Sequence, residues 1–274
     1  MTALAACPAG GVAAEPVYLP VDSNIAYSLV ESLPTGTPTT RLSYGDDPLQ
    51  YGDLWLPAPA TADEPAPLIV FVHGGCWLNA YDAGHTSALS TALTQAGFAV
   101  WSLEYRRTGD AGGGWPGTFD DIMAGLAYVE SLTEYPIVTD QFVIAGHSAG
   151  GHLALLAGGR LPEARAVIGL AAITDIAAYS LGENSCQTAT PLFMGGSAEE
   201  KPADYRAANP AMQPRHANTL LLHGSADEIV PPEQAQLPGA IRIIEPDAGH
   251  FDWVHPGTRS FQTLLSTLQR TFAE

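Results

Sequence analysis

Gly146-His147-Ser148-Ala149-Gly150 constrains this 274-residue chain more than any other stretch. It follows the apolar run Phe142-Val143-Ile144-Ala145 and leads into Gly151-His152-Leu153-Ala154-Leu155-Leu156-Ala157, rich in helix formers. The pattern G-x-S-x-G between a strand and a helix describes a sharp turn that presents a serine hydroxyl. Glycines two residues to either side of the serine suit such a turn, because a Cβ there would collide with neighbouring backbone.

The rest of the chain repeats the strand-then-helix rhythm. Leu68-Ile69-Val70-Phe71-Val72 is a continuous apolar run, as expected for a strand buried on both faces. Similar runs occupy 98–103, 142–145, 166–171, 219–222 and 241–244, and helix-compatible segments occupy 86–96, 118–133, 152–158 and 258–272. The alternation predicts an α/β fold: a mostly parallel central sheet with helices on both faces. Two earlier segments, 25–30 and 51–56, read as strands joined through a turn at Gly45-Asp46-Asp47-Pro48, giving the sheet an antiparallel N-terminal edge. A Pro/Ala linker, 57–67, follows them. Residues 175–217 break the rhythm and read as an irregular, lid-like excursion over the sheet. Residues 1–20 read as a flexible N-terminal segment and 21–274 as one domain.

Charge narrows the partners. Twenty-nine acidic residues against 11 basic ones give a net charge of −18, and Lys201 is the sole lysine. Phosphate backbones and anionic lipid surfaces would be repelled, which excludes nucleic acid as an expected partner. No apolar run reaches the roughly 18–20 residues that span a bilayer. Leu4-Ala5-Ala6-Cys7 resembles a bacterial lipobox, which would make Cys7 a lipid anchor and the chain an exported or periplasmic lipoprotein. Met1-Thr2-Ala3 is too short to supply the signal before it, so that reading needs a longer precursor. The alternative is a frayed Ala/Gly-rich terminus on a cytoplasmic protein. Cys76 and Cys186 are either two buried thiols or, in an exported protein, a disulfide. No H-E-x-x-H or comparable ligand pair occurs, so neither metal nor cofactor is expected.

A serine hydroxyl needs a base in reach and a carboxylate to orient that base. One known arrangement runs Ser, then Asp or Glu, then His along the chain. Downstream of Ser148, the run Leu220-Leu221-Leu222-His223-Gly224-Ser225-Ala226-Asp227 is a strand entering a loop, and Ala248-Gly249-His250-Phe251 follows the next strand. The expected set is therefore Ser148, Asp227 and His250. Asp175, Glu228 and Asp247 are competing carboxylates, and His255 is a competing base. His73-Gly74-Gly75-Cys76-Trp77 directly follows the strand 68–72. There Gly75 and Cys76 would aim backbone N–H groups at a developing oxyanion, with Ala149 supplying another. Trp77, Tyr105 and Phe251 are the expected substrate-binding aromatics, and Tyr81 and Trp115 are further candidates for either pocket or core. Arg106 and Asp121 read as an ion pair bracing the loop 107–116, which Gly112-Gly113-Gly114 would make mobile. No Lys-Ser or Lys-Thr follows those glycines, so they are not a phosphate loop.

His73–Trp77 together with Gly146–Leu153 resembles the α/β-hydrolase branch that contains kynurenine formamidases and small carboxylesterases, including acetylxylan and feruloyl esterases. The likeness extends to Leu103-Glu104-Tyr105-Arg106 and to His223–Asp227, and it covers residue 51 to the C-terminus. It implies the α/β-hydrolase fold and a serine carboxylesterase acting on a small-molecule acyl or aryl ester through an acyl-enzyme. Arylformamidase and acetylxylan or feruloyl esterase activities are alternatives. A catalytically inactive binding module is the alternative of a different class.

Overall fold

The computed structural model describes residues 15–273. Cys7, the expected anchor site, lies outside them. One eight-stranded sheet dominates, in the order β1-β2-β4-β3-β5-β6-β7-β8. Its strands are β1 (Thr40–Ser43), β2 (Tyr51–Trp55), β3 (Ala66–Val72), β4 (Ala99–Leu103), β5 (Ile137–His147), β6 (Ala166–Leu170), β7 (Thr219–Gly224) and β8 (Ile241–Glu245). β2 runs antiparallel to both β1 and β4, and every other pairing is parallel. This is the architecture expected from the alternation of apolar runs and helical segments.

The apolar run of β3 shows why the sheet is buried on both faces. Successive strand residues point to opposite sides. Leu68, Val70 and Val72 enter one core, with α3 (Gly117–Ala127) and α4 (Ala149–Gly158). Ile69 and Phe71 enter the other, with α2 (Ser87–Gln95) and α8 (Arg259–Ala273). All ten residues of α4 are buried, as its apolar sequence on every side requires. α8 instead buries a stripe, Phe261, Leu264 and Leu268. β8 is an edge strand and leaves Ile241 exposed.

Two expectations are corrected here. Residues 25–30 do not form a strand: Tyr27–Glu31 is a short helix, α1, with only Val30 buried. The strand that pairs with β2 is β1, whose register puts Thr40 opposite Leu54 and Ser43 opposite Tyr51. The excursion 175–217 is not irregular. It holds α5 (Ile176–Tyr179), α6 (Ser185–Met194) and α7 (Pro202–Ala207). α6 begins with a capping box in which the Asn184 side chain accepts from Gln187 N at 2.9 Å and Gln187 Oε1 accepts from Asn184 N at 3.1 Å. Of the segment before β1, Gln95 donates to the Pro16 carbonyl at 2.9 Å, so residue 16 already lies against the domain.

Candidate active site

The segments that leave the C-terminal ends of the parallel strands carry Ser148, Asp227, His250 and the loop 73–77, at the edge where open α/β sheets place their sites. β5 ends at His147 and α4 starts at Ala149, leaving Ser148 alone between them at φ 57° and ψ −122°. A side-chain-bearing residue holds such a conformation only where its surroundings over-determine it. Here Ser148 N donates to Leu170 O of the neighbouring strand at 2.8 Å, and the Ser148 carbonyl accepts from His152 N at 3.0 Å. A Cβ on Gly146 would strike the Gly150 carbonyl, and one on Gly150 would strike the carbonyls of Val72 and His73. The two glycines of the pentapeptide are thus fixed by contact across the turn.

Of the competing carboxylates, Asp227 meets His250. Its Oδ2 accepts from His250 Nδ1 at 2.8 Å, and its Oδ1 accepts from Ile229 N and Val230 N at 2.9 and 2.8 Å. That bond engages Nδ1 and leaves Nε2 as the ring nitrogen turned away from Asp227. Asp175 instead caps α5, accepting from Ala177 N and Ala178 N, while Glu228 and Asp247 are exposed. His255 Nδ1 accepts from Gly257 N at 3.1 Å and does not line the cavity. Two further imidazoles lie close by. His147 Nε2 donates to the His250 carbonyl at 2.9 Å, and burial together with the neighbouring His250 drives its pKa well below the usual imidazole value. His223 donates to the Val230 carbonyl at 2.8 Å, and burial lowers its pKa although Asp227 pulls the other way.

The loop after β3 is bent left-handed at three successive residues, Gly75, Cys76 and Trp77, with φ of 106°, 55° and 57°. Among the described residues, none accepts a hydrogen bond from the backbone N–H of Gly75 or Cys76. Ala149 N belongs to the first turn of α4, where backbone donors have no partner within the helix. Cys76 is bonded to Cys186 of α6, so the alternative of two separate thiols is set aside.

Trp77 and Tyr105, expected to contact substrate, are fully buried and do not line the cavity. Trp77 stacks on Phe193 at 4.9 Å and donates to His152 Nδ1 at 3.3 Å. Tyr105 stacks on His73 at 4.4 Å and donates to the His73 carbonyl at 2.7 Å. Both anchor the loop after β3 through these contacts. The loop 107–116 is not loosened by its glycines either. Gly113 packs on the Arg107 backbone, Gly114 N donates to Thr118 Oγ1 at 3.0 Å, and Trp115 N donates to Phe193 O at 2.8 Å. The expected Arg106–Asp121 pair is present and two-pronged, at 2.8 and 2.6 Å.

Two buried carboxylates near the site, Glu104 and Asp252, have no role that a sequence motif assigns. Glu104 accepts from Tyr105 N at 2.8 Å and Ala83 N at 3.1 Å, and it pairs with His73 Nε2 at 3.1 Å and Arg107 at 3.0 Å. Burial pushes its pKa up, but His73 and Arg107 outweigh that and hold it below the usual carboxylate value. Asp252 accepts from Asn24 N, Ile25 N and Gly249 N at 2.7, 2.9 and 3.0 Å, tying the N-terminal segment to the loop of His250. Glu104 follows a strand at the site edge, a signal that was available; nothing local marks Asp252.

Ser148 and His250 open into one cavity of about 240 Å³, shared with Gly75, Cys76, Cys186 and Phe251. Tyr27, Tyr81, His85 and Phe251 form an aromatic cluster on it, with Tyr27 at the centre, 5.2 to 6.0 Å from the other three rings. A wider depression of about 570 Å³ runs along residues 20–29, but it carries no nucleophile–base pair. Among the described residues no His/Cys/Asp/Glu cluster could hold a metal ion.

The BD-FAE family profile matches residues 53–238, a span running from β2 past Asp227. The chain belongs to the BD-FAE family. This BD-FAE member is 30% identical over 215 residues to Esterase LipC of Mycobacterium tuberculosis (strain ATCC 25618 / H37Rv), covering 72% of this chain and 53% of LipC. It is 26% identical over 220 residues to a probable isoprenylcysteine alpha-carbonyl methylesterase, ICMEL2, of Arabidopsis thaliana, covering 70% and 50% of the two. The chain spans about half the length of these relatives. Among solved structures, a truncated carbohydrate esterase from gut microbiota superposes with a TM-score of 0.73 at 23% identity, over 87% of this chain and 98% of that one. Esterase B from Lactobacillus Rhamnosis (HN001) gives 0.74 at 19%, over 90% of each chain. The fold is the α/β-hydrolase fold. His250 lies beyond the matched span, so its place in the site rests on its bond to Asp227.

Proposed function

We propose that this BD-FAE member is a serine carboxylesterase that hydrolyses small acyl or aryl esters through an acyl-enzyme. One observation carries the reading: Ser148, on its strained turn, shares a cavity with an imidazole whose far nitrogen is held by Asp227 at 2.8 Å. Ser148 Oγ attacks the acyl carbon while His250 Nε2 takes its proton. The negative charge that develops on the carbonyl oxygen is met by the N–H groups of Gly75, Cys76 and Ala149. His250 then gives its proton to the departing alcohol, and water, activated by the same imidazole, releases the acid from Ser148. Asp227 keeps the proton on Nδ1 and steadies the imidazolium that forms.

A cavity of about 240 Å³ favours small esters, since drug-sized ligands occupy roughly 300 Å³ or more. The names of relatives support ester over formamide chemistry: LipC is an esterase, and a second mycobacterial relative is a probable carboxylic ester hydrolase. Trp77, part of the motif that resembles formamidases, packs on Phe193 and does not line the cavity. Acetyl or feruloyl groups on cell-wall sugars are a candidate substrate class, in keeping with the carbohydrate esterase that shares the fold. A panel of p-nitrophenyl esters, acetylated xylan and N-formylkynurenine ranks these substrates. Ser148→Ala should lower ester turnover by several orders of magnitude; near-native turnover in that variant would end the proposal.

A further inference from the structure

The bridge between Cys76 and Cys186 joins two elements with different tasks. Cys76 sits in the left-handed donor loop at φ 55°, and its own N–H is free among the described residues. Cys186 sits in the first turn of α6, the helix built from the excursion. Both cysteines line the cavity that holds Ser148 and His250, and so does the exposed Ser185 next to Cys186. The same end of α6 also reaches the loop of the acid. Asn184 Nδ2 donates to the Ile229 carbonyl at 2.9 Å, two residues beyond Asp227, and Tyr179 of α5 donates to that carbonyl at 3.0 Å. The start of α6 is therefore strapped covalently to the donor loop and by hydrogen bonds to the carboxylate loop. Nothing in the chemistry of ester cleavage calls for sulfur at either position.

We propose that Cys186, through its bond to Cys76, is the specificity-determining residue of the site: the bridge holds α6 as a fixed wall that limits substrate size, and it restrains the donor loop. The proposal rests on the esterase reading. Three consecutive left-handed residues, two of them not glycine, persist only under external constraint. Stacking of Trp77 on Phe193 constrains the far end of that run, and the bridge constrains its middle. Opening the bridge leaves α6 attached through Asn184 and Phe193, so the wall loosens without leaving.

The test compares the oxidised enzyme with enzyme treated with dithiothreitol below its melting temperature. The reductant's two thiols give two electrons and two protons to the bridge, leaving Cys76 and Cys186 as thiols and the reductant as a cyclic disulfide. Alkylation and mass spectrometry count the thiols, and circular dichroism confirms the fold. The readouts are kcat/KM for p-nitrophenyl acetate against octanoate, and for methyl against 1-naphthyl acetate. Opening the bridge should shift selectivity toward the larger group at least tenfold in one of the two panels, with kcat on the smallest ester falling. Cys186→Ala should do the same. Ser185→Trp, which leaves the bridge intact and narrows the wall, should move selectivity the opposite way. Ratios that stay within twofold in folded, fully reduced enzyme, or in Ser185→Trp, would overturn the proposal while leaving the esterase reading standing. An oxidised enzyme that cleaves no ester removes both.

Discussion

Asp227 spends its two oxygens on different jobs, and that division makes the site testable residue by residue. Oδ1 is occupied by the N–H groups of Ile229 and Val230, so only Oδ2 faces the imidazole. Asp227→Asn can keep the first pair of bonds while presenting an amide to His250, which favours the wrong tautomer. The expected result is a loss of about 10⁴ in kcat with little change in melting temperature, measured by initial rates and calorimetry on the same samples. His152 offers a test of a different kind. It is fully buried, donates to the Ala208 carbonyl and accepts from Trp77, and burial lowers its pKa to about 4. The unfolded chain binds a proton on this residue from about pH 6.5 downward, and the folded chain does so only near pH 4. Stability contributed by the neutral ring is therefore complete above pH 6.5 and lost as the pH falls toward 4. That loss should reach roughly 3 kcal/mol at pH 4 for this residue. Denaturant titrations across that interval should show the decline, and His152→Asn should flatten its slope.

At the scale of elements, the apolar runs of β3 to β7 were legible because both faces of each strand are buried, which leaves no polar alternation to confuse them. β1 was not. Thr40-Arg41-Leu42-Ser43 is a four-residue edge strand whose alternate residues stay exposed, and Arg41 binds Asp53 of its partner. Its place in the sheet is set by pairing with β2, which no local pattern encodes. The segment 25–30 carries strand-like β-branched and aromatic residues, yet Tyr27–Glu31 closes as a short helix and Tyr27 lines the cavity. The excursion hid α6 because its apolar stripe is short; the Asn184-x-x-Gln187 capping box was the available signal. Pocket and core aromatics could not be told apart, since Trp77 and Phe251 sit equally near site motifs and differ only in what packs on them. The Cys76–Cys186 pair had no spacing signature, being 110 residues apart. That separation has an energetic consequence. Cross-linking so long a loop restrains the unfolded chain by about 4–5 kcal/mol in the chain-entropy account. Denaturant unfolding of Cys186→Ala should show a loss of that order; a loss below about 1 kcal/mol would contradict the chain-entropy account for this bridge.

The whole molecule places its chemistry by topology. Ser148, the loop 73–77, Glu104, Asp227 and His250 lie far apart in sequence, but each lies in the segment that follows a strand of the sheet, so the fold gathers them at one edge. Around that edge, buried carboxylates do the holding: Glu104 fixes His73 and Arg107 behind the donor loop, and Asp252 ties residues 24 and 25 to the loop of His250. The sign of the net charge, −18, agrees with a small neutral ester as substrate better than with an anionic polymer. The proposed mechanism stands on Ser148 as the nucleophile of this arrangement. Treatment with a fluorophosphonate, followed by intact-mass and peptide mass spectrometry, tests it most directly. One adduct is expected, on Ser148, appearing as esterase activity disappears and absent from Ser148→Ala. Inactivation with the adduct on another residue, or ester hydrolysis that survives full labelling of Ser148, would contradict it.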